Sequence, residues 1–554
     1  MTRSSSTATR VIFLGGLGEI GRNMIAMESG GQILVIDTGL SFPNEEMLGV
    51  DLVLPDFSYV VERAESCVGV VLTHGHEDHV GALSWFLRDV DVPVYGTPLT
   101  LGMAAKRLNE SGQEAEMIEI QAPGTRSIGG FRCHFLAVAH SIPDAISIAV
   151  DTTDGRILYT GDFKLDEAPI DGRPTDVEGF RRLGAEGVDL MLSDSTNAET
   201  PGRTPSESVI STALREILSK AQGRVIVACF ASNLHRIQQL CEAAEASGRH
   251  VAFVGRSMVN NVEVGRELGH IRVEPSTFVD VEDLERLPPS KGVLVCTGSQ
   301  GEPLSALALI AAGDHKFITV GSGDTVILSA SAIPGNESAV HRVINGLYKA
   351  GAEVFHAGTS NVHVSGHAAS EELAELVSIV KPRYFTPVHG EFRQLALHKK
   401  IAEKAGISSD VINIVEDGDV LELRDGVVKR GDRVRAGMVL VDGLGVGDVG
   451  PVVLRDRRVL AGDGILVCVI TIDSRSGELL AGPDLISRGF VFEEQSRDLL
   501  DDAADRVAEA LEELEDEHVT DWAVLKKTCR RALGEFVWQS TKRRPMLLPI
   551  VIEV

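Results

Sequence analysis

Three histidines and two carboxylates fall within six residues at His74-Gly75-His76-Glu77-Asp78-His79, directly after the apolar run Val70-Val71-Leu72. A strand that ends in such a loop aims its side chains at one small volume. Imidazole nitrogen and carboxylate oxygen are the donors that zinc prefers in open, hydrolytic sites. A lone histidine reads as an ordinary core or surface residue. Four donors spaced H-x-H-x-D-H after a strand read as a metal site instead of a solvated loop. Two metals need more donors than one hexapeptide holds, including one that bridges. Three later apolar runs end in a residue of the required type: Phe135 to His140, Ile157 to Asp162, and Tyr384 to His389. Each predicts a strand with a donor at its end, on the rim where the first loop lies.

The elements around these donors can be sketched from pattern. Gly16-Leu17-Gly18-Glu19-Ile20-Gly21 mimics a dinucleotide fingerprint, with Asp37 downstream. The segment between is too short for a helical crossover, and Ser29-Gly30-Gly31 breaks it, so antiparallel strands joined by a glycine turn are expected. After Pro205 the texture changes. Helices over 206–221, 233–247 and 259–268 alternate with strands at 225–228, 251–254, 292–296 and 316–320, which predicts a parallel α/β sheet with its own core. Because His389 must return to the donor cluster, this unit is an insertion. The expected divisions are a disordered start (1–10), a first domain in two parts (11–205 and 367–448), the insertion (206–366), and an α+β unit (449–554). The last follows the glycine-rich stretch Asp442 to Gly450 and contains helices near 494–517 and 521–537 and a closing strand from Leu547.

Bulk properties bound the reading. The 554 residues are 44% hydrophobic, with no apolar run near the roughly 18 residues of a membrane span. Seven scattered cysteines without a C-x-x-C pair read as reduced core residues, hence a cytoplasmic protein without membrane partners. The net charge of −27 argues against a general basic footprint for nucleic acid. Much of it is local: twelve acids against Arg497 and Arg506 from Glu493 to Glu517, read as the solvated face of a helix. Arg530, Arg531, Lys542, Arg543 and Arg544 form the main basic cluster. It either touches a nucleic acid or pairs with the acidic helix of a neighbouring subunit, and the pairing is the preferred reading.

The order of donors resembles the metallo-β-lactamase superfamily, and Asp194 in Leu192-Ser193-Asp194-Ser195-Thr196-Asn197, His367 in His363-Val364-Ser365-Gly366-His367, and His389 in His389-Gly390-Glu391 resemble motifs A, B and C of its β-CASP nucleases. Nearly the whole chain after residue 10 resembles the bacterial ribonuclease J family, including Phe13 to Asn23, Leu72 to His79, and Arg543-Arg544-Pro545-Met546. The implied fold is α/β: an αββα metallo-β-lactamase sandwich, an inserted parallel α/β β-CASP domain and a small C-terminal α+β domain. The resemblance implies two zinc ions per chain, with Mn2+ or Mg2+ as alternative activating ions. His74, His76 and His140 would hold one, Asp78, His79 and His389 the other, with Asp162 bridging and Asp37 orienting a ligand histidine. It further implies endonuclease and 5′→3′ exonuclease action on RNA, a preference for 5′-monophosphate ends, and roles in mRNA decay and RNA maturation.

In that reading a metal-bound hydroxide hydrolyses the phosphodiester, His367 protonates the leaving oxygen, and Asp194 stabilises its charged form. His363, Val364, Ser365, Gly366 and His367 itself form a loop suited to gripping a phosphate. Ser232 and Asn233 open a helix and either face a phosphate or only cap it. Phe42 either stacks on a base or packs in the core. The loop Thr297 to Glu302 is a further candidate contact or a simple turn. RNA is the expected partner, with a homodimer or homotetramer formed through the C-terminal domain and contacts to an RNA-degradation complex. A small-molecule hydrolase such as a lactonase is disfavoured by the size of the insertion, and an inactive RNA-binding scaffold by the complete donor set.

Overall fold

The computed structural model describes residues 8–302, 304–333, 335–476, 478–491, 496–515 and 521–554. Residues 1–7, most of the expected disordered start, and the acids 493, 494, 516 and 517 lie outside that description. The chain divides into two compact units, residues 1–42 with 53–439, and residues 43–52 with 440–554.

Two sheets face each other in the first unit. One has eight strands in the order Val427–Arg430, Val420–Arg424, Thr9–Gly15, Met24–Ser29, Gln32–Ile36, Cys67–Val71, Val94–Gly96, Met117–Glu119. The other has six: Tyr384–Val388, Leu190–Asp194, Arg156–Tyr159, Ile146–Asp151, Phe131–Ala137, Gly124–Ile128. Period-2 alternation assigns each strand to two cores at once. Val11, Phe13, Leu34 and Ile36 of the first sheet meet Phe135, Ile148, Ile157 and Leu192 of the second. Ile12, Leu14, Ile33 and Val35 face outward onto the helices Leu83–Asp89 and Pro98–Glu110. Leu158, Met191 and Phe385 face the helices Val177–Glu186, Ser370–Val380 and Phe392–Lys404. This is the expected αββα sandwich.

The fingerprint-like start behaves as its short spacing requires. Thr9–Gly15, Met24–Ser29 and Gln32–Ile36 are successive antiparallel strands. Gly30 and Gly31, at φ 59° and 78°, make the tight turn between the last two. The first strand begins at Thr9, inside the stretch expected to be disordered. The N–H and Oγ1 of Thr9 both donate to Asp154 Oδ2, at 2.9 and 2.8 Å, and Thr9 and Arg10 pair with Leu423 and Glu422.

The insertion is a five-stranded, wholly parallel sheet, ordered His250–Val254, Gly292–Cys296, Val225–Ala228, Thr325–Leu328, Glu353–His356. Helices cover both faces, as a parallel sheet demands. The strand expected at 316–320 does not form. His315 Nδ1 accepts from the N–H groups of Phe317 and Ile318 (3.3 and 3.1 Å), and Arg224 takes the Thr319 carbonyl (2.6 Å). The ladder position goes to Thr325–Leu328, whose four residues are all buried.

In the second unit, Leu479–Arg488, Ile465–Ile472 and Met546–Glu553 form one sheet. Leu466, Cys468, Ile470 and Ile472 pack against the helices Arg497–Glu515 and Trp522–Thr541. A third helix, Pro451–Asp463, stands beyond the two expected from pattern and buries no residue fully. All seven cysteines are buried and free. No helix among the described residues is long and apolar enough to cross a membrane.

Candidate metal centre

Every donor foreseen at a strand end lies where a strand of the sandwich ends. Asp37 follows Gln32–Ile36, His74 follows Cys67–Val71, His140 follows Phe131–Ala137, and Asp162 follows Arg156–Tyr159. Asp194 closes Leu190–Asp194, and His389 follows Tyr384–Val388. The short helix Glu77–Val80 turns Asp78 and His79 back toward His74. Asp37 and His389 hold left-handed backbone, φ 60° and 52°. Such conformations cost on the order of 1 kcal/mol or more in residues other than glycine, and persist where surrounding contacts fix them.

Two donor groups result. His74 Nε2 and His140 Nε2 lie 3.1 and 3.2 Å from His76 Nδ1. Asp162 Oδ2 stands 3.6 and 3.7 Å from the same two Nε2 atoms. That oxygen is also 3.3 Å from His79 Nε2, which lies 3.7 Å from Asp78 Oδ2. His389 Nε2 completes the second group at 3.3 Å from Asp78 Oδ2. Donors around a tetrahedral ion with bonds of about 2.0–2.1 Å are spaced by about 3.3 Å. Asp162 Oδ1 is buried without a hydrogen-bond partner. The residues therefore fit divalent metal, with one Asp162 oxygen common to both groups.

The rings are turned to present these nitrogens. Thr73 donates to Asp37 through its N–H (2.8 Å) and Oγ1 (2.9 Å), so its hydroxyl accepts from His74 Nδ1 (3.0 Å) and frees His74 Nε2. His79 Nδ1 donates to Asp37 Oδ2 at 2.7 Å. His140 Nδ1 donates to the Gly366 carbonyl at 2.8 Å. A side chain on Gly366 would press on the His140 ring at 2.7 Å, which is why glycine stands there. His389 Nδ1 faces Thr196 Oγ1 (2.6 Å) and Asp194 Oδ1 (3.1 Å).

Charge points the same way. Burial holds His74 and His140 well below the usual histidine range, and pushes His76 down to about 4 against the pull of Asp78 and Asp162. These are neutral rings, ready to ligate. At His79 and His389 burial also opposes the charge, but Asp162 and neighbouring carboxylates outweigh it, raising His389 to about 10. A dense cluster of buried carboxylates thus calls for positive charge, which bound cations supply in place of protons.

His367 sits beside this centre, Nδ1 2.8 Å from Asp194 Oδ2 and 4.0 Å from Asp162 Oδ2. Burial disfavours its charged form, but Asp194 more than compensates and raises it. The carbonyl of His367 accepts from Thr204 Oγ1 (2.6 Å) and Asn197 Nδ2 (3.2 Å), and its N–H donates to Ser365 Oγ (3.1 Å). The Val362 carbonyl, at the loop's start, accepts from the buried Arg236 (2.8 Å) and from Ser329 (2.7 Å). His363 is neutral, pushed to about 4 by burial and Arg236. Asn233 caps the helix Leu234–Ala246, its side chain accepting from the Arg236 N–H; Ser232 stays half-buried beside it. Phe42 is 59% exposed, so it does not pack in the core. Gln300 ties the loop after Gly292–Cys296 to Ser331 and Ile333, at 2.9 and 2.7 Å.

Four supporting residues carry no metal-ligand signature of their own: Thr73, Thr196, Thr204 and Asn23. The N–H and Nδ2 of Asn23 both donate to the Asp78 carbonyl, at 3.0 and 3.1 Å. The fingerprint-like glycine segment therefore ends by bracing the metal loop. Thr73, Thr196 and Asn23 adjoin recognisable motifs; Thr204 adjoins none.

Fold and site together define a metal-dependent hydrolase with an added α/β domain. Residues 17–220 match the metallo-beta-lactamase superfamily, 222–347 the ribonuclease J beta-CASP domain, 355–412 the Zn-dependent metallo-hydrolase RNA specificity domain, and 452–554 the ribonuclease J C-terminal domain. Ribonuclease J2 of Bacillus subtilis is 41% identical over 556 residues, covering 100% of both chains. Ribonuclease J of Mycobacterium tuberculosis is 44% identical over 551 residues, 99% of this chain and 98% of that one. A crystal structure of an Enterococcus faecalis protein of unknown function, 16% identical, aligns over 76% of this chain and 100% of its own with a TM-score of 0.51, a likeness of fold. The chain belongs to the ribonuclease J family of metal-dependent ribonucleases.

Proposed function

We propose that this chain is a zinc-dependent, cytoplasmic ribonuclease that cuts RNA internally and degrades it 5′→3′ from monophosphorylated ends, serving mRNA decay and RNA maturation. The observation that carries the proposal is the double donor cluster sharing Asp162 Oδ2. His74, His76 and His140 would hold one ion and Asp78, His79 and His389 the other, with Asp162 between and Asp37 steering His79. When bound, the ions supply Lewis acidity that activates water near neutral pH and offsets charge developing on the phosphoryl oxygens.

The chain's own groups supply the rest. His367, held charged by Asp194, gives its proton to the leaving 3′-oxygen. Thr204 and Asn197 fix the backbone that carries it. His363, Val364, Ser365, Gly366, Ser232 and Asn233 are the groups we assign to RNA phosphates, and exposed Phe42 to a base. The helix start uses several N–H groups internally: that of Leu234 donates to Ser232 O (2.9 Å) and that of Arg236 to Asn233 Oδ1 (3.0 Å). Its share of phosphate binding therefore falls on Ser232 and the Asn233 amide. The same reading places the insertion at 206–366 and the C-terminal domain at 449–554. We assign assembly of copies to that domain, supported by Leu548, Ile550 and Ile552, left exposed in a row on an edge strand.

Purified protein given 5′-monophosphorylated RNA, 5′-triphosphorylated RNA and DNA tests this directly. Rapid release of single nucleotides from the first, with internal cuts only in the second, is the expected result. Equal turnover of DNA, or no dependence on the 5′ end, overturns the proposed specificity.

A further inference from the structure

A cationic stripe runs along the helix Trp522–Thr541 of the second unit. Lys527, Arg530, Arg531 and Trp538 recur at intervals of three, four and seven to eight, and Lys542 follows one turn beyond Trp538. At 3.6 residues per turn these positions share one face. All five are exposed. Trp538, an indole 40% exposed on a polar helix face, has Lys542 Nζ 5.5 Å and the Arg544 guanidinium 4.5 Å from its ring centroid. Among the described residues, no carboxylate forms an ion pair with Lys527, Arg530, Arg531 or Lys542. Glu535 is the one acid on that face.

The context makes this unusual. The chain carries a net charge of −27, and most exposed arginines elsewhere have acidic partners, as in the pairs Arg203–Glu375 and Arg286–Asp283. Unpaired cations gathered on one face repel each other and cost stability unless an anion is their intended neighbour. An aromatic ring flanked by guanidinium and ammonium groups is the arrangement on which an unpaired base stacks while phosphates meet the cations. A neighbouring copy's acidic helix is the competing occupant. The same domain, however, already offers an apolar surface on the opposite face of its sheet, where Leu548, Ile550 and Ile552 stand exposed while Leu466, Cys468 and Ile470 face the helices. That surface suits another copy of the chain and leaves the helix face free.

We infer that the Lys527–Arg531–Trp538–Lys542 face, with Arg530 and Arg544, binds single-stranded RNA as a second anchoring surface on the C-terminal domain. The inference rests on RNA being the substrate. It predicts a length effect: RNA long enough to fill the metal site and this face together is held more tightly than RNA filling the metal site alone.

The test compares the full-length, metal-loaded chain with Lys527→Gln/Arg531→Gln/Lys542→Gln and with Trp538→Ala, titrated with fluorescent single-stranded RNA of two lengths, about 8 and about 40 nucleotides, with phosphorothioate linkages to suppress cleavage. Each neutralised phosphate contact contributes about 0.7 to the logarithmic salt slope for single strands. The triple variant should bind the long RNA about tenfold or more weakly, with a slope lower by about 2. Trp538→Ala should weaken it about tenfold through lost stacking. Binding and metal-supported cleavage of the short RNA should not change, which also certifies that the variants fold. Long-RNA affinity equal to wild type in both variants overturns the inference. So does a change confined to the mass of the assembly, which would make this face a contact between copies. Failure of the wild-type chain to bind or cleave either RNA would instead sink the ribonuclease reading.

Discussion

The loop His74–His79 and the loop His363–His367 are both rich in histidine and both close on Asp162, yet they are held in opposite ways. In the first, His74, His79 and the Asp78 backbone are pinned by Thr73, Asp37 and Asn23, all within the sandwich. In the second, the backbone is slung between the first domain at one end and the inserted domain at the other. Thr204 and Asn197 grip the His367 carbonyl, while Arg236 and Ser329 grip that of Val362. The first arrangement suits groups that must bind metal with fixed geometry. The second suits a proton donor whose place is set together with the domain that, in the proposed function, receives RNA.

The largest expected effect comes from breaking the braced loop. His76→Ala should abolish RNA cleavage and lower the metal content, expected at about two ions per wild-type chain, as read by elemental analysis. Full activity in His76→Ala/Asp78→Ala would remove the basis for a metal-dependent mechanism.

Breaking the slung loop should do less, and differently. His367→Ala should slow cleavage by about 10²–10⁴-fold while metal content and RNA affinity stay near wild type. A substrate with sulfur as the leaving atom needs less protonation and should be partly rescued. If affinity falls and rescue fails, His367 is a phosphate clamp.

His398 sharpens the contrast, because it lies close by and takes no part in either donor group. It is fully buried, faces Ser195 Oγ at 3.0 Å, and burial lowers it to about 4. The unfolded chain binds this proton near pH 6.5, the folded chain only near 4. Stability is therefore lost as pH falls through that window, by roughly 3 kcal/mol from this group. His398→Gln should flatten the slope of unfolding free energy between pH 6.5 and 4, whatever its effect at pH 7. An unchanged slope would mean that His398 is charged in the fold.

Smallest of the four, Thr204→Val removes one grip on His367 without touching a donor. We expect about a tenfold drop in kcat, the worth of one buried hydrogen bond, with KM and metal content unchanged. A fall as deep as that of His367→Ala would mean that the loop has no other effective support.

The donor positions are legible in the sequence because His74, His140, Asp162 and His389 each follow an apolar run while His76, Asp78 and His79 crowd the loop behind His74, and a strand end is where a sandwich can gather residues from distant parts of the chain. The glycine fingerprint is told from a dinucleotide site by its short spacing and the Ser29-Gly30-Gly31 break, and the strands around it are antiparallel. What local pattern does not mark is of two kinds. Thr204 and Arg236 act through contacts to residues more than a hundred positions away, and no local pattern marks them. The segment 316–320 has strand-like composition, but the His315 side chain takes its N–H groups, so the ladder forms at 325–328. For Asn233 and Phe42 the sequence is equally open, and the structure adds only that Asn233 Oδ1 caps its helix and that Phe42 lies outside the core.

Residues 43–52 leave the sandwich six positions after Asp37 and belong to the C-terminal unit. There Arg457 donates to the Leu48 carbonyl (2.8 Å), Asp51 N–H to the Val441 carbonyl (2.8 Å), and Gly443 N–H to Asp51 Oδ2 (2.8 Å). Truncating the chain ahead of Leu440 is therefore not a clean excision. It would strand a ten-residue tether that begins right after Phe42, loosen the stretch leading back to Asp37, and open a protease-sensitive tip close in sequence to the metal donors. Lost activity in such a shortened protein would then report an unmoored loop as much as the missing domain.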